Sequence, residues 1–304
     1  MRKIYLLYVL IIAILLSSCS ASSEDDSDYW QKIQKNYHIY APPLPKKLDL
    51  AGEPVPLQYF DVRESLDREV LKLMYWHSEM ILYIKRSARF FPIVEPILKK
   101  YGIPDDFKYL LVAESGMANV VSPAGAAGYW QFMEKTAKKY GLIINDQVDQ
   151  RYDIYASTEA ACKYLRDAYN HYGSWTLAAA SYNVGQTNLD RAIKKQGTDN
   201  FYDLALNVQT ARYIYRILAL KLIMSNPQKY GFYVREKDKY QPVKTKVVKV
   251  SGPVPSWIDF ARKYGTNYKV LLLLNPWIRD SRLDNPGEVT FYVRVPDKGA
   301  REVN

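Results

Sequence analysis

From Ser65 to about Met224, apolar residues recur at three- and four-residue spacing, broken only at glycines and prolines. Val70, Leu71, Leu73, Met74, Trp76 and Met80 set the first stripe, and a second helix is expected over 91–101, stopped by Gly102. That period belongs to helices and not to strands. A stretch of this length can bury its own core, so residues 63–232 are expected to form one all-α domain. Ahead of it, Pro42, Pro43, Pro45, Pro54 and Pro56 make residues 19–62 an extended, turn-rich lead-in with one short helix.

The most informative segment is 103–116, IPDDFKYLLVAESG. Pro104 suits a first helical turn, and Asp105 and Asp106 place negative charge at the positive end of the helix. Phe107, Leu110 and Leu111 form one apolar face. Glu114 follows them at plus seven, plus four and plus three, so it projects from that same face. A glutamate there is costly unless it is paired or protonated. Desolvation raises its pKa, the condition a general acid needs near neutral pH. Gly116 ends the helix and opens space for a ligand. Periodicity alone leaves a second possibility open: that Glu114 caps a neighbouring helix or pairs with a buried Arg.

Three blocks follow in order: Glu114-Ser115, then Ser122 to Gly128 with Tyr129-Trp130-Gln131-Phe132, then Ala178 to Gly185 containing Tyr182-Asn183. Together they resemble the lytic transglycosylases of glycoside hydrolase family 23, across roughly residues 95–225. The resemblance implies a mainly α, lysozyme-like fold and a single catalytic carboxyl, Glu114. Ser115, Ser122, Gln131, Tyr182 and Asn183 match substrate-binding positions. Gln209-Thr210-Ala211-Arg212-Tyr213 resembles a late family block, which brings Tyr213 near the scissile bond. The chain departs from the pattern at Tyr129, where leucine is usual, and at Gln209, where glutamate is usual. Its loop between Glu114 and Ser122 is one residue shorter.

Most glycosidases use two carboxyl groups. The other carboxylates near these blocks, Glu134, Asp149, Asp153 and Glu159, all fit ordinary helix-end positions, Asp153 as the N-cap of a helix over 154–170. The resemblance implies a reaction needing only one. Glu114 protonates the oxygen between N-acetylmuramic acid and N-acetylglucosamine, then takes the proton of the 6-hydroxyl, giving a 1,6-anhydro end without water. No cofactor or metal is implied, and three separated histidines (His38, His77, His171) write no zinc motif. The alternatives are a goose-type lysozyme, which uses water, and a non-catalytic peptidoglycan-binding scaffold. Trp130 and Trp175 read as core more readily than as sugar platforms. Tyr101, Tyr140 and Tyr152 stay undecided. Tyrosine is abundant, 27 residues against nine phenylalanines, but its flat face and polar tip serve cores and sugar grooves alike.

After Gly231 the pattern shifts. Residues 233–246 read as a charged linker. Residues 247–298 read as a βααβ unit: strand 247–250, helices 256–264 and 268–274, and strand 289–295. This unit resembles a LysM module, although Ser251-Gly252-Pro253-Val254 stands where the family's binding-loop segment is expected. It is therefore either a glycan-binding module or a structural domain that positions the catalytic one.

The beginning of the chain reads as an address. Arg2 and Lys3 precede an apolar run over 4–16, too short for a transmembrane helix and fitting a signal-peptide core over 1–18. Leu16-Ser17-Ser18-Cys19 resembles the lipobox of bacterial lipoproteins, which implies cleavage before Cys19 and lipidation of that residue. Residues 20–28 make a polar tether. Ser20 after the cysteine points to the outer membrane, facing the periplasm. Cleavage lowers the net charge from +10 to +8. The positive balance suits a polymer with carboxylate-bearing stems, since no nucleic-acid motif is present. A monomer is expected. Cys162 sits in an apolar pattern and reads as a buried small hydrophobe.

Overall fold

The computed structural model describes residues 26–36, 38–285, 287 and 289–302. The expected signal peptide and Cys19 lie outside the described residues. Helix α1 (Asp26–Asn36) belongs to a separate N-terminal unit that ends at Tyr40, and it buries none of its side chains.

From Ala41 onward the chain is a second unit. It opens with a two-residue-turn hairpin, β1 (Asp49–Leu50) and β2 (Glu53–Pro54). Ala51 and Gly52 both take positive φ, 55° and 85°, which a tight hairpin of this twist requires. Seven helices follow: α2 (Phe60–Met74), α3 (His77–Lys100), α4 (Phe107–Ser115), α5 (Glu134–Lys139), α6 (Ile154–Tyr172), α7 (Trp175–Val184) and α8 (Gln186–Gln196). Helix α9 (Val208–Ser225) closes the bundle, packing along α2, α4 and α7. Tyr213, Ile214, Ile217, Leu218, Leu220 and Ile223 turn its length into core.

The boundaries differ from the periodic reading in three places. Helix α2 begins at Phe60, ahead of the Ser65 start of the periodic reading; its first turn carries Asp61 at the positive end and already buries Val62. Helix α3 starts at His77 rather than at 91, so Met80 belongs to it and not to the stripe of α2, and it continues through Pro92 and Pro96 although each proline removes one backbone donor. Val94, between the prolines, and Leu98, beyond them, are buried and hold it against the core. Helix α4 begins at Phe107, not Pro104. Asp106 makes no side-chain cap. Its carboxylate accepts instead from the Ala51 backbone N–H (2.6 Å) and from Lys221 Nζ of α9 (2.7 Å), tying the early hairpin to the bundle.

Glu53 binds the same hairpin to α7. Its carboxylate accepts from the backbone N–H groups of Trp175 (2.5 Å) and Thr176 (2.9 Å) and from the hydroxyls of Ser174 (2.9 Å) and Thr176 (2.6 Å). A negative group on the exposed donors of a helix N-terminus satisfies them and complements the helix dipole.

Within the bundle, β3 (Val120–Val121) and β4 (Ala127–Gly128) form a short antiparallel hairpin, and a 3-10 turn spans Gln150–Tyr152. Beyond the bundle, Tyr240 lies against α3. Its N–H donates to Lys85 O (3.0 Å), and Lys85 and Arg89 flank its ring. The C-terminal unit is β5 (Thr245–Val250), α10 (Trp257–Lys263), α11 (Tyr268–Leu274) and β6 (Phe291–Pro296). Its strands pair antiparallel from Thr245 opposite Pro296 to Val250 opposite Phe291. Trp257, Leu271, Trp277, Phe291, Val293 and Val295 form its own core. The mainly helical fold with a small βααβ end is the class the sequence suggests.

Replacing Glu53 by Ala is expected to lower stability by about 2 kcal/mol, since it removes a multi-donor cap. Urea unfolding should show a lower midpoint with unchanged slope.

Candidate active site

Helix α4 buries Phe107, Tyr109, Leu110, Leu111 and Val112 and carries Glu114 in its last turn. Gly116 ends the helix at φ 59°, ψ 28°. A Cβ there would stand 2.2 Å from Tyr83 Cε1, so the close approach of α3 demands glycine on two counts. Arg86 Nη1 donates to Gly116 O (3.0 Å) and holds the turn from the same helix as Tyr83.

Glu114 meets α9 directly: the Tyr213 hydroxyl donates to Glu114 Oε1. Burial pushes the Glu114 carboxyl up from 4.5 to about 7; the Tyr213 hydrogen bond and the positive charge of Arg216 pull the other way but lose. The side chain still keeps a partly accessible edge. Tyr213 is itself held far above its ordinary pKa, by burial first and then by the carboxylate beside it. Its hydroxyl therefore remains a donor. The arrangement is a desolvated carboxyl, poised near neutrality, with a fixed proton donor on one oxygen.

The β3–β4 hairpin and the residues after it form the neighbouring wall. Ser115 Oγ donates to Tyr129 O (2.6 Å), and the Tyr182 hydroxyl donates to Trp130 O (2.8 Å). Both hydroxyls thus position the backbone of the second block. Tyr182 lies within range of the Glu114 charge, which adds to burial in raising its pKa. Gln131 adopts φ 50°, and its amide nitrogen donates to Val120 O (2.9 Å) and Gly128 O (2.8 Å), closing the hairpin on itself. Ser122 Oγ accepts from Ala126 N–H (3.0 Å), a turn role. Asn183 sits half-buried near the end of α7. The structure thus gathers Glu114, Tyr213 and Tyr182 around one carboxyl. It assigns Ser115, Gln131 and Ser122 hydrogen bonds that shape the wall.

The other carboxylates have partners elsewhere. Asp149 pairs with Arg151 (2.7 Å), Glu159 with Lys100 (2.9 Å) and Glu134 with Lys138 (2.6 Å). Asp153 caps α6 through Tyr155 N–H (2.9 Å). Trp130 is fully buried, with Nε1 donating to Thr158 Oγ1 (2.8 Å), and Trp175 stacks on Tyr169 (ring centroids 4.1 Å apart), so both are core. Tyr140 and Tyr152 are buried as well. Cys162 is buried, and burial pushes its thiol up to about 12, which makes it inert. Among the described residues, no group of three or more His, Cys, Asp or Glu could hold a metal ion.

Tyr83, Arg86, Arg151 and Arg216 escaped the sequence reading. Tyr83 and Arg86 are three apart on one helical face, but nothing in that spacing ties them to Gly116. Arg216 lies one turn beyond Tyr213 and could have been read from it.

Comparison with known proteins fits this geometry. Residues 93–205 match the family described as Transglycosylase SLT domain, and residues 246–299 match the soluble lytic transglycosylase C-terminal LysM-like domain. The chain thus carries an SLT-type domain joined to a LysM-like one. It is homologous to membrane-bound lytic murein transglycosylase D of Escherichia coli K12, 28% identical over 80% of this chain and 53% of that protein. The same-named protein of E. coli O6:H1 matches equally. A putative tributyltin chloride resistance protein of Alteromonas sp. strain M-1 is 30% identical over 36% of this chain and 55% of that protein. The chain spans about half the length of these curated relatives.

Because the folded-state pKa of Glu114 is raised, its contribution to stability is present below about 4.5 and is lost as pH rises through about 7. Glu114→Gln removes that loss. The variant should be more stable than the parent at pH 8, by at most about 3 kcal/mol. The difference should vanish near pH 4. Chemical denaturation at both values checks it; an equal or lower stability at pH 8 contradicts the dominance of burial.

Proposed function

We propose that the chain is a peptidoglycan lytic transglycosylase with Glu114 as its single acid/base. The observation that carries this reading is the desolvated Glu114 carboxyl, raised to about 7 and hydrogen-bonded by Tyr213. It lies within the residues that match the SLT-type family, in a chain homologous to a murein transglycosylase.

The proposed reaction keeps proton balance with one residue. Protonated Glu114 donates to the glycosidic oxygen as the bond from C1 of N-acetylmuramic acid breaks. The positive charge developing at C1 is stabilised by the substrate's own acetamido oxygen. Glu114, now ionised, accepts the proton of the 6-hydroxyl as that oxygen bonds to C1. The product ends in 1,6-anhydro-N-acetylmuramic acid, and the carboxyl is protonated again. A pKa near the working pH suits a group that must act in both senses. Tyr213 orients one carboxylate oxygen. Tyr182, Ser115, Ser122 and Gln131 fix the wall, with Asn183 beside it, so that the hydroxyl and C1 meet at reacting distance.

In this proposal residues 63–232 are the catalytic domain, 233–246 the connection and 247–298 the LysM-like module. The module carries a concavity of about 610 Å³ bounded by Lys249, Ser251, Ser256, Phe260, Lys263 and Tyr264, a size and chemistry that suit a sugar chain. A lipid on Cys19 holds the protein at the cell envelope, at the outer membrane facing the periplasm, as a monomer. The membrane-bound homologue supports envelope association. No helix among the described residues is long and apolar enough to cross a membrane.

The decisive experiment is digestion of purified sacculi by the chain lacking residues 1–19, with mass analysis of the fragments. Anhydro ends, lighter by one water than reducing ends, are expected. Reducing ends would mean a lysozyme-like hydrolase, and no release a scaffold. Glu114→Gln should abolish cleavage while sacculus binding persists. Tyr213→Phe removes the hydrogen bond that lowers the Glu114 pKa, so the alkaline limb of its pH–rate profile should move to higher pH.

A further inference from the structure

The segment 147–155 belongs to both halves of the second unit. Val148 is 1% exposed and packs in the core of the C-terminal module, where it bridges to Ile278. Asp149 N–H donates to Trp277 O (2.9 Å), and Arg279 N–H donates to Gln147 O (3.0 Å). The Gln147 side chain makes a reciprocal pair with Asp284: its Nε2 donates to the carboxylate and its Oε1 accepts the backbone N–H, both at 2.9 Å. Arg279 lies over the Tyr152 ring (4.6 Å), and Arg294 over the Tyr155 ring (3.2 Å). These contacts hold the segment from the module's side by backbone, side chain and core at once.

From the other side, the same segment grips the hairpin that forms the active-site wall. Arg151 clasps the Asp149 carboxylate with Nη2 (2.7 Å) and Nε (3.0 and 3.2 Å). Its remaining nitrogen, Nη1, donates to Gly125 O (3.2 Å) and Phe132 O (3.3 Å), at the two ends of the β4 region. The pair is nearly closed to solvent, with side-chain exposures of 12% for Arg151 and 10% for Asp149, so the fork is geometrically fixed. The Arg151 carbonyl lies so near Gly128 that a Cβ there would stand 1.9 Å from the oxygen. The hairpin is therefore pinned outside by Arg151 and inside by Ser115 and Tyr182.

We propose that the C-terminal LysM-like module is a fixed brace for the active-site hairpin, acting through Asp149 and Arg151, with Arg151 as a positioning residue for the glycan-cleaving reaction. This rests on the transglycosylase reading above. A module serving only to hold substrate has no need of continuity with the wall beside Glu114. Here the chain runs from Trp277 O through Asp149 and Arg151 to the carbonyls that frame Trp130 and Gln131. Displacements of the order of 1 Å in such a wall cost on the order of 100-fold in rate.

The test uses the chain lacking residues 1–19 and soluble glycan strands. Arg151→Ala should lower kcat by about 10- to 100-fold with KM within about twofold. Arg151→Lys, which keeps the charge but not the fork, should stay low. The double variant Gln147→Ala with Arg279→Ala loosens the module without touching the hairpin, and covers the case in which Arg151→Ala fails to fold. It should raise amide hydrogen exchange over 120–132 as well as at the docking residues, and lower kcat, while sacculus co-sedimentation stays at parental level. Unchanged protection over 120–132 together with parental kcat in the folded variants overturns the brace. If the parent chain cleaves nothing, the function reading fails, and hydrogen exchange alone still decides the brace.

Discussion

A carboxyl that is to stay half-protonated near neutral pH has to be kept dry, and the bundle around Glu114 is arranged to meet that demand. Three helices close on it. Helix α4 carries the residue at its last turn, α9 brings the Tyr213 hydroxyl, and α3 lays Tyr83 against the glycine that ends α4. The positive charge of Arg216 is too weak to reverse the effect of burial. An arginine in direct contact would have held the group ionised and removed its capacity to donate.

The neighbouring wall obeys a different logic. Its polar side chains, including Tyr182, which feels the Glu114 charge, spend their hydrogen bonds on backbone carbonyls. Ser115, Tyr182, Gln131 and Arg151 each donate to main-chain oxygens between Val120 and Phe132. Rigid main chain at that place is obtained from side chains rather than from a larger sheet, because β3 and β4 are only two residues each.

Much of this was legible beforehand. The stripe of Phe107, Leu110 and Leu111 located Glu114 on a buried face, and Gly116 marked the helix end. The two strands and two helices of the C-terminal unit fell within two residues of their observed limits. Other features were hidden for physical reasons. The start of α3 was obscured because Met80 continues the three- and four-residue spacing of α2 across Tyr75 and Trp76, and because Lys85, Arg86 and Arg89 interrupt the apolar pattern before the expected start at 91. The role of Arg151 was invisible because its partners, Asp149 apart, are backbone carbonyls, which leave no mark on composition. The contact of Glu114 with Tyr213 joins residues 99 apart, and only the family resemblance, not periodicity, suggested it.

The cap that Glu53 places on α7 has a consequence for how the protein comes together. Its partners lie 121 to 123 positions further along the chain, and the loop so closed carries a substantial entropy cost. An excised 93–205 stretch keeps the α7 end of that closure but lacks Glu53, and it lacks Tyr213 as well. The SLT-type match is thus smaller than the set of elements whose contacts complete the bundle. The start of α7 is held twice, by the Ser174 side chain from within the helix and by Glu53 from the early hairpin, so the order of the helix that carries Tyr182 and Asn183 depends on a turn far away in sequence.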